Sequence, residues 1–223
     1  MVKDSVTAVI PVRAGSKRLP NKNILPFGNS NLLVHKIRQL KQVKNIDNIV
    51  VSSDSVEMLE MARQEGVLIH RREDVFCDDT TLPHRHVAQN VQGDHVLWAV
   101  CVCPLLTPES YERAIDTYFD KVVEKKEYDS LVSVRLFKEY LWDEKGPLNY
   151  NLGSGHVISQ NLPDWYIVTN GIYMLPRNLM IEKNYFLGCN PYKFVVSKRE
   201  AVDIDDAEDF EVAKALLAGS KLG

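Results

Sequence analysis

Short apolar runs alternate with segments of helical periodicity over the first two-thirds of the chain. The run over 6–12 predicts a buried strand, and residues 32–43 carry apolar side chains at 33, 34, 37 and 40, the spacing of one helix face. The same reasoning predicts strands at 48–52, 67–70, 95–102 and 130–137, and helices at 56–65, 82–92 and 107–126. Strands that alternate with helices predict right-handed crossovers and a mainly parallel sheet.

Residue types at the helix ends support these boundaries. Thr107 and Pro108 supply the N-cap and the first residue of one helix. Beyond residue 165 the sheet resumes at 172–175 and 192–196. Asp206 caps a closing helix, and Asp209 stands where a carboxylate bonds back to the helix start.

Residues 138–165 interrupt the alternation of strands and helices. Glycine and proline recur in this segment, and aromatic side chains lie between them: Tyr140, Trp142, Tyr150 and Trp165. The segment is either a surface excursion with a short hairpin, or an arm that packs on a second subunit or closes a substrate pocket. Long structured loops in compact domains often carry a function, which favours the arm and a homodimer.

These elements predict an α/β fold, a single Rossmann-like domain with a mainly parallel sheet plus a dimerisation arm. The 223 residues are enough for one such domain with a sizeable core. We expect the domain to span residues 1–223, with 138–165 as the inserted arm, because no repeat, low-complexity tract or linker divides the chain.

Composition and charge disfavour several classes of partner. Hydrophobic residues make up 45% of the chain and charged residues 26%, and the formal net charge of −3 gives no basic excess for nucleic acid. No apolar run is long enough to span a membrane, and the N-terminus shows no secretory signal. Four cysteines without a Cys-x-x-Cys pair predict free thiols and a cytoplasmic protein.

The segment after the first strand, residues 10–24, has the composition of a polyphosphate site. It lies beyond the carboxyl end of a strand, where α/β proteins bind ligands, and it contains no acid. Gly15 and Ser16 allow a ligand to approach the backbone closely. Arginine and lysine side chains grip phosphate oxygens and stabilise a leaving pyrophosphate, and the basic residues here are Arg13, Lys17, Arg18 and Lys22. The loop is neither a P-loop nor a dinucleotide fingerprint, because the residues of both motifs are absent.

The second chemical feature is the acidic pair Asp203 and Asp205. Carboxylates at positions i and i+2 of an extended segment point to the same side. Near a triphosphate such a pair can hold Mg²⁺, which prefers oxygen ligands, neutralises the α-phosphate and polarises the attacking hydroxyl. Helix capping is the alternative interpretation, and it explains Asp206 but not Asp203.

The basic loop resembles the signature of a known family in both residue types and spacing. The motif reads Arg13-x-Gly15-Ser16-Lys17-x-Leu19-Pro20-x-Lys22-Asn23-Ile24. It resembles the acylneuraminate cytidylyltransferases, which include the CMP-sialic acid synthetases and are related to the CMP-Kdo synthetases. The resemblance implies catalytic roles for two of these residues and a CTP site formed by Arg13, Ala14, Gly15, Ser16, Lys17, Lys22 and Asn23. The catalytic pair is Arg13 and Lys17.

Further segments along most of the chain resemble the same family. These are Val50-Val51-Ser52-Ser53-Asp54, Arg71 followed by Asp78-Asp79-Thr80, Asn170-Gly171-Ile172-Tyr173, which is one residue shorter than its counterpart, and Asp203-Ile204-Asp205 with Asp209. The resemblance adds Arg71, Asp79 and Thr80 to the CTP site. It also implies a catalytic, metal-binding role for the acidic pair and places Asn170 and Tyr173 beside the substrate.

Two segments depart from the family pattern. Where the family has Gln-Pro-Thr-Ser-Pro-Leu-Arg, this chain has Val100-Cys101-Val102-Cys103-Pro104-Leu105-Leu106, and where the family often has Arg-Gln-x-Leu-Pro, it has Ser159-Gln160-Asn161-Leu162-Pro163. Cys103 and Gln160 stand at positions that the resemblance places beside the substrate. Two basic positions are lost, although the carboxylate of a 2-keto sugar acid favours a cation. Either Arg85, Arg135 or Lys138 supplies that cation, or the acceptor is different.

The sequence therefore predicts a cytidylyltransferase that uses CTP and Mg²⁺. It would transfer CMP to the hydroxyl of a sialic-acid-like or other 2-keto sugar acid and release pyrophosphate. Two alternatives stay open: a nucleotidyltransferase for another acceptor, such as a sugar phosphate or an alcohol, and a non-catalytic nucleotide-binding homologue. A dinucleotide-binding oxidoreductase is disfavoured, because the glycine fingerprint is absent.

Overall fold

A computed structural model describes residues 4–77 and 83–219. Within these ranges one seven-stranded sheet is formed by β1 (Val6–Pro11), β2 (Asn48–Ser53), β3 (Leu68–Arg71), β4 (His95–Trp98), β5 (Ser130–Phe137), β6 (Trp165–Pro176) and β7 (Pro191–Val195). The α-helices of the same ranges are α1 (Leu32–Leu40), α2 (Val56–Gln64), α3 (His84–Asn90), α4 (Pro108–Tyr118), α5 (Arg177–Lys183) and α6 (Ala207–Gly219). No helix of the described part combines the length and the apolarity needed to cross a bilayer.

The sheet has the strand order β7-β5-β6-β4-β1-β2-β3. Every neighbouring pair is parallel except the two pairs that involve β6. The predicted α/β fold with a mainly parallel sheet is thereby confirmed. The chain proceeds from β1 to β2 and β3 on one side and returns to β4 on the other, so a crevice opens at the carboxyl ends of β1 and β4, where such folds bind ligands.

Successive side chains of β1 enter apolar cores on opposite faces of the sheet. Ala8 and Ile10 pack in the core that α1, α2, α4 and α6 cover. Val9 lies in the other core, with Val87 of α3 and Met180 of α5. Burial on both faces explains why the strand reads as an almost continuous apolar run.

The strand predicted over 95–102 is shorter in the structure, because β4 ends at Trp98 and residues 101–105 form turns. The amide of Ala99 still donates to the carbonyl of Val9 (2.9 Å), but the carbonyl of Cys103 accepts from a side chain of α1 instead of from a strand. The apolar run over 95–102 therefore reflects two features: a strand up to Trp98, and buried turns beneath α1 after it. This correction matters for function, since the turn carries one departure from the family pattern.

Other element boundaries differ by smaller amounts. The helix predicted over 82–92 is α3, and the helix predicted over 107–126 is α4 followed by a π-helix over Phe119–Glu124. The strand predicted at 172–175 is the end of the much longer β6. Helix α5 was not predicted, because its seven residues are too few to establish a helical period.

A register shift in β6 brings a short polar segment out of the sheet ladder. The shift lies between Val168 and Tyr173, opposite β5. Within it, a Cβ on Gly171 would lie 2.4 Å from Cδ1 of Leu106, so any other residue here would force the Leu106 side chain to move. Ser133 of β5 fixes the irregular backbone by accepting a hydrogen bond from the amide of Ile172 (2.9 Å).

Residues 138–164 leave the sheet between β5 and β6. They contain a short hairpin, Trp142–Asp143 paired with Gly146–Pro147, and 3-10 turns at Gly153–Gly155 and Ser159–Asn161. The hairpin was expected from the glycine and proline residues of this segment. Leu162 is buried and ties the end of the excursion to the body of the protein.

Candidate active site

A cavity of about 450 Å³ opens beyond the carboxyl ends of β1 and β4. Its volume is in the usual range for a small-molecule site. It is lined by Pro11, Val12, Arg13, Ser16, Lys17, Arg18, Leu19, Lys22, Asn23, Arg72, Val100, Cys101 and Val102. The structure thus brings together five residues of the predicted CTP site, namely Arg13, Ser16, Lys17, Lys22 and Asn23, together with the fourth cation of the loop, Arg18.

Hydrogen bonds across the loop after β1 hold it in a fixed shape. The amide of Ala14 donates to Oδ1 of Asp54 (3.0 Å), and Nδ2 of Asn23 donates to the carbonyl of Arg13 (3.0 Å). The thiol of Cys101 donates to Oδ1 of Asn23 (3.1 Å), so both ends of this buried amide are engaged. Asn23 therefore shapes the loop from within.

Gly15 and Ser16 complete the turn of the loop at the cavity. Gly15 has φ of 72°, a left-handed conformation that favours glycine. Ala14 and Gly15 are exposed, and Ser16 is half-buried. The backbone is therefore accessible to a ligand, as the composition predicted.

The loop cations divide between the cavity wall and the C-terminal acidic segment. Nη1 of Arg13 donates to the carbonyl of Cys77 (2.8 Å). Nζ of Lys22 donates to the carbonyl of Ile204 (2.7 Å) and lies 3.5 Å from Oδ1 of Asp205. The loop after β1 and the acidic segment are thus joined through Lys22, although they are far apart in the sequence.

Asp203 occupies a polar cluster with Asn170 and Tyr173. Nδ2 of Asn170 donates to Oδ2 of Asp203, and the hydroxyl of Tyr173 donates to Oδ1 of Asn170 (2.8 Å). Burial raises the pKa of Asp203, the bond from Asn170 opposes that rise, and the charge of Asp205 adds to it. Oδ1 of Asp203 is buried and accepts no hydrogen bond from the described residues. An unsatisfied buried carboxylate oxygen requires a partner, and a hard cation would supply one.

The acidic segment is anchored beside the turn after β4. The amide of Ile204 donates to the carbonyl of Val102 (2.9 Å), which fixes the residue between the two carboxylates. Asp205 and Asp206 both donate their amides to Oδ2 of Asp209, and Asp206 caps the amide of Asp209 (3.0 Å). The predicted capping role of Asp206 is confirmed, and the capping does not use the carboxylates of the acidic pair.

Arg72, and not the predicted Arg71, lines the cavity. Arg71 ends β3 and is exposed, and it does not line the cavity. Arg72 is 4% exposed, lines the cavity, and donates from Nη2 to the carbonyl of Val12 (2.6 Å). Successive side chains of an extended segment point to opposite sides, so only one of the pair can face the site. The Nε atom of Arg72 is buried and has no hydrogen-bond partner among the described residues.

The remaining predicted site residues have different positions. Asp79 and Thr80 lie outside the described residues. Cys103 is fully buried and does not line the cavity. Burial, and then the negative charge of Asp203, raise the pKa of its thiol. Gln160 is exposed in the 3-10 turn of the excursion and is not part of the cavity wall.

One more buried polar residue supports the site and was missed in the sequence. Lys36 of α1 is fully buried, and its Nζ donates to the carbonyl of Cys103 (2.9 Å) and the hydroxyl of Tyr111 (2.8 Å). Burial lowers the pKa of Lys36 to about 8. The signal in the sequence was a single lysine among apolar helix positions, at 36 between Val34 and Ile37.

Comparison with known proteins supplies a family for this site. Residues 7–146, more than half of the chain, match the family described as Cytidylyltransferase. The chain is 30% identical to the CMP-N,N'-diacetyllegionaminic acid synthase of Legionella pneumophila, with 95% of this chain and 96% of that protein covered. It is 26% identical to the pseudaminic acid cytidylyltransferase of Campylobacter jejuni, with 93% and 94% covered.

A solved structure shares the fold. The CMP:2-keto-3-deoxy-manno-octonic acid synthetase, solved as a complex with CTP, has a TM-score of 0.72 with this chain at 15% identity, covering 97% of this chain and 99% of the other. The basic loop, its position at the crevice and the family match all indicate a nucleotide-binding transferase. The chain therefore belongs to the cytidylyltransferase family and is a CTP-dependent nucleotidyltransferase of the acylneuraminate cytidylyltransferase type.

Proposed function

We propose that this enzyme transfers CMP from CTP to a hydroxyl of a sialic-acid-like 2-keto sugar acid and releases pyrophosphate. The observation that carries the proposal is the contact between the loop after β1 and the acidic segment, through Lys22, Ile204 and Asp205. This contact sets cations for a triphosphate next to carboxylates for a metal. Relatives named for pseudaminic, legionaminic and N-acylneuraminic acids support the acceptor class.

The triphosphate would lie along the loop after β1. Arg13, Lys17 and Arg18 line one cavity, and the exposed turn at Gly15 lies between them in the chain. These cations would bind the β- and γ-phosphates and stabilise the charge of the leaving pyrophosphate. The hydroxyl oxygen of the acceptor attacks the α-phosphorus, the bond to the β-phosphate oxygen breaks, and the hydroxyl proton passes to water.

Asp203 and Asp205 would hold Mg²⁺ between them and the triphosphate. The buried, unsatisfied Oδ1 of Asp203 and the oxygen donors of Asp205 fit a hard cation that completes its coordination with substrate phosphate and water. No group of three or more His, Cys, Asp or Glu side chains in the described ranges could hold a metal, so the substrate must supply ligands. When bound, the ion would neutralise α-phosphate charge and polarise the attacking hydroxyl.

The acceptor carboxylate requires a cation. The family pattern has an arginine at the position of Leu106, so in this chain another residue must supply the charge. Of the three candidates, Arg85 binds the carbonyls of Ile181 and Glu182, and Lys138 pairs with Asp164 at 2.5 Å. Arg135 is half-buried, its guanidinium lies 5.8 Å from the centre of the Phe137 ring, and no ion pair among the described residues holds it. We therefore assign the acceptor carboxylate to Arg135.

A homodimer through the excursion between β5 and β6 would complete the enzyme. Apolar side chains of the excursion and of the strand ends beside it are exposed: Leu136, Tyr140, Trp142, Leu148, Leu152, Ile158, Trp165, Tyr166, Ile167 and Val168. Many exposed apolar side chains in neighbouring segments of the chain favour a protein interface there. In the run 165–168 both faces of the strand are exposed, which favours a partner that packs around it.

The altered turn after β4 favours one alternative acceptor class. Val100 and Val102 line the cavity where the family pattern has polar residues, so this wall offers no hydrogen bonds from side chains. An acceptor with fewer hydroxyl groups on that side, such as a simple alcohol, would tolerate this wall.

The proposal is tested by measuring pyrophosphate release with Mg²⁺ and CTP against a panel of 2-keto sugar acids and sugar phosphates. Asp205→Asn is expected to lose activity by about 100-fold or more, because it removes a metal ligand. Asp206→Asn is the matched control, since it removes the same charge one residue away and keeps a good helix cap. Turnover of sugar phosphates alone would move the assignment to the alternative, and full activity of Asp205→Asn would refute the metal assignment.

A further inference from the structure

We infer that Lys36 is a positioning residue for nucleotidyl transfer, which acts through the turn after β4 on the acidic segment. It lies in α1, and α1 contributes no residue to the cavity wall. The inference rests on the proposed function, because it takes Asp203 and Asp205 as the metal-binding pair.

Lys36 is an unusual residue for a buried position between α1 and α4. Its side chain has no exposed surface, and in the described residues no carboxylate pairs with its ammonium group. The Nζ atom donates to the carbonyl of Cys103 (2.9 Å) and to the hydroxyl of Tyr111 (2.8 Å), and it lies 5.0 Å from the centre of the Tyr111 ring. Burying an unpaired ammonium opposes folding, so a charge retained here points to a role beyond packing.

The neighbours of Lys36 on α1 bind the same turn. Nε2 of Gln39 donates to the carbonyls of Pro104 (2.7 Å) and Leu106 (2.6 Å), and Nε2 of His35 lies 3.0 Å from the carbonyl of Pro104. Because β4 ends at Trp98, these carbonyls have no strand partner. One face of α1 therefore replaces the missing ladder and fixes the shape of residues 101–106.

The turn over residues 101–106 also fixes the position of the acidic segment. The carbonyl of Val102 accepts from the amide of Ile204 (2.9 Å), the residue between the two carboxylates. The chain of contacts runs from Lys36 through Cys103 and Val102 to the acidic pair.

The ammonium group of Lys36 makes the first contact in this series, with the carbonyl of Cys103, a strong hydrogen bond. Hydrogen bonds from an ammonium group are stronger than those between neutral groups. A shift of about 1 Å at the reacting groups can lower a rate about 100-fold, so the carboxylates depend on a rigid support. The support is remote from the triphosphate, and CTP binding should therefore not depend on it.

Lys36→Met tests the inference, because methionine keeps the length of the side chain and removes the charge. We expect kcat to fall about 100-fold and the metal concentration for half-maximal rate to rise about 10-fold, with the Kd for CTP measured without metal unchanged. Mn²⁺ binding to the enzyme–CTP complex, followed by electron paramagnetic resonance, should weaken by the same factor and does not depend on turnover. Lys41→Met is the matched control, since Lys41 follows α1 and contacts Glu65 away from the turn.

Folding is checked by circular dichroism and thermal melting. If Lys36→Met does not fold, Gln39→Leu removes the adjacent support of the same turn and should give the same split between kcat and CTP affinity. Unchanged kcat and unchanged Mn²⁺ affinity would overturn the inference, and so would an equal loss of CTP binding, which indicates a general packing role. The proposed function fails separately, through absent turnover or through an active Asp205→Asn enzyme.

Discussion

The guanidinium of Arg18 lies 2.7 Å from the carboxylate of Asp205, measured from Nη2 to Oδ1. The two side chains are 67% and 44% exposed, so this ion pair contributes at most about 1 kcal/mol to stability. Its position matters more than its strength. A triphosphate in the cavity would compete for Arg18 and release Asp205 toward a metal.

Arg18→Gln should therefore affect binding and not folding. We expect the melting temperature to stay unchanged and the Kd for CTP to rise about 10-fold, because one charge-assisted phosphate contact is lost. Calorimetric titration with CTP and thermal melting measure the two effects. Arg38→Gln, which removes a surface pair with Glu65 (2.6 Å), is the control. A lower melting temperature with unchanged CTP affinity would contradict the assignment.

Arg72 and Arg71 form a matched pair for testing which arginine faces the nucleotide. Arg72→Lys should raise the KM for CTP about 10-fold or more and destabilise the fold by about 1–3 kcal/mol, because it removes planar donors from a buried site. Arg71→Lys should change neither quantity, since Arg71 is exposed. Steady-state kinetics and urea unfolding measure these effects. The reverse ranking of the two variants would restore the role that the sequence gave to Arg71.

Gly171 is the point at which the polar segment of β6 passes Leu106. Gly171→Ala places a Cβ 2.4 Å from Cδ1 of Leu106, and overpacking of this kind costs about 1–3 kcal/mol. Urea unfolding should show this loss of stability, and kcat should fall because Asn170 shifts relative to Asp203. Leu106→Ala in the same chain opens the space and should recover activity. If the losses of the two single variants simply add in the double variant, the contact between residues 171 and 106 is not the cause.

His84 makes stability depend on pH. Burial lowers its pKa from 6.5 to about 4, opposed by a hydrogen bond to the backbone carbonyl of Asn184, so between these values the unfolded chain binds the proton more readily than the folded chain. Stability therefore rises with pH through this window and falls on acidification, with a slope of up to about 1.4 kcal/mol per pH unit from this residue. His84→Phe should reduce that slope, measured by urea unfolding from pH 7.5 to 4.5.

His156→Phe is the control for the aromatic replacement at His84, because it makes the same replacement at an exposed histidine. It should leave the pH slope of stability unchanged. An equal slope in His84→Phe and in the unmodified chain would mean that other groups cause the acid sensitivity.

The apolar excursion between β5 and β6 should hold two chains together. Val168→Lys is expected to convert a dimer, seen by size exclusion with light scattering, into a monomer, because it places a charge in the proposed interface. Val212→Lys is the control, since Val212 of α6 is 50% exposed and Val168 is 51% exposed. A monomeric unmodified chain, or dissociation in both variants, would reject this interface.

The sequence by itself determined the sheet and the nucleotide loop. Apolar runs buried on both faces are typical of central strands, and β1, β2 and β5 appear in the pattern with boundaries that differ by at most one residue. The phosphate loop is also local, because its cations lie within ten consecutive positions after β1 and no distant residue is needed to recognise them. Residue types and spacing were sufficient for these features.

Only the tertiary structure decided which side chains meet. Arg72 rather than Arg71 faces the cavity because of the direction in which β3 ends, and Cys103 is buried because the chain leaves β4 at Trp98 and turns beneath α1. The contacts of Lys22 with Ile204, and of Lys36 with Cys103, join positions that are 182 and 67 residues apart. Such contacts depend on how helices and strands pack, and packing is a property of the whole chain that no local pattern contains.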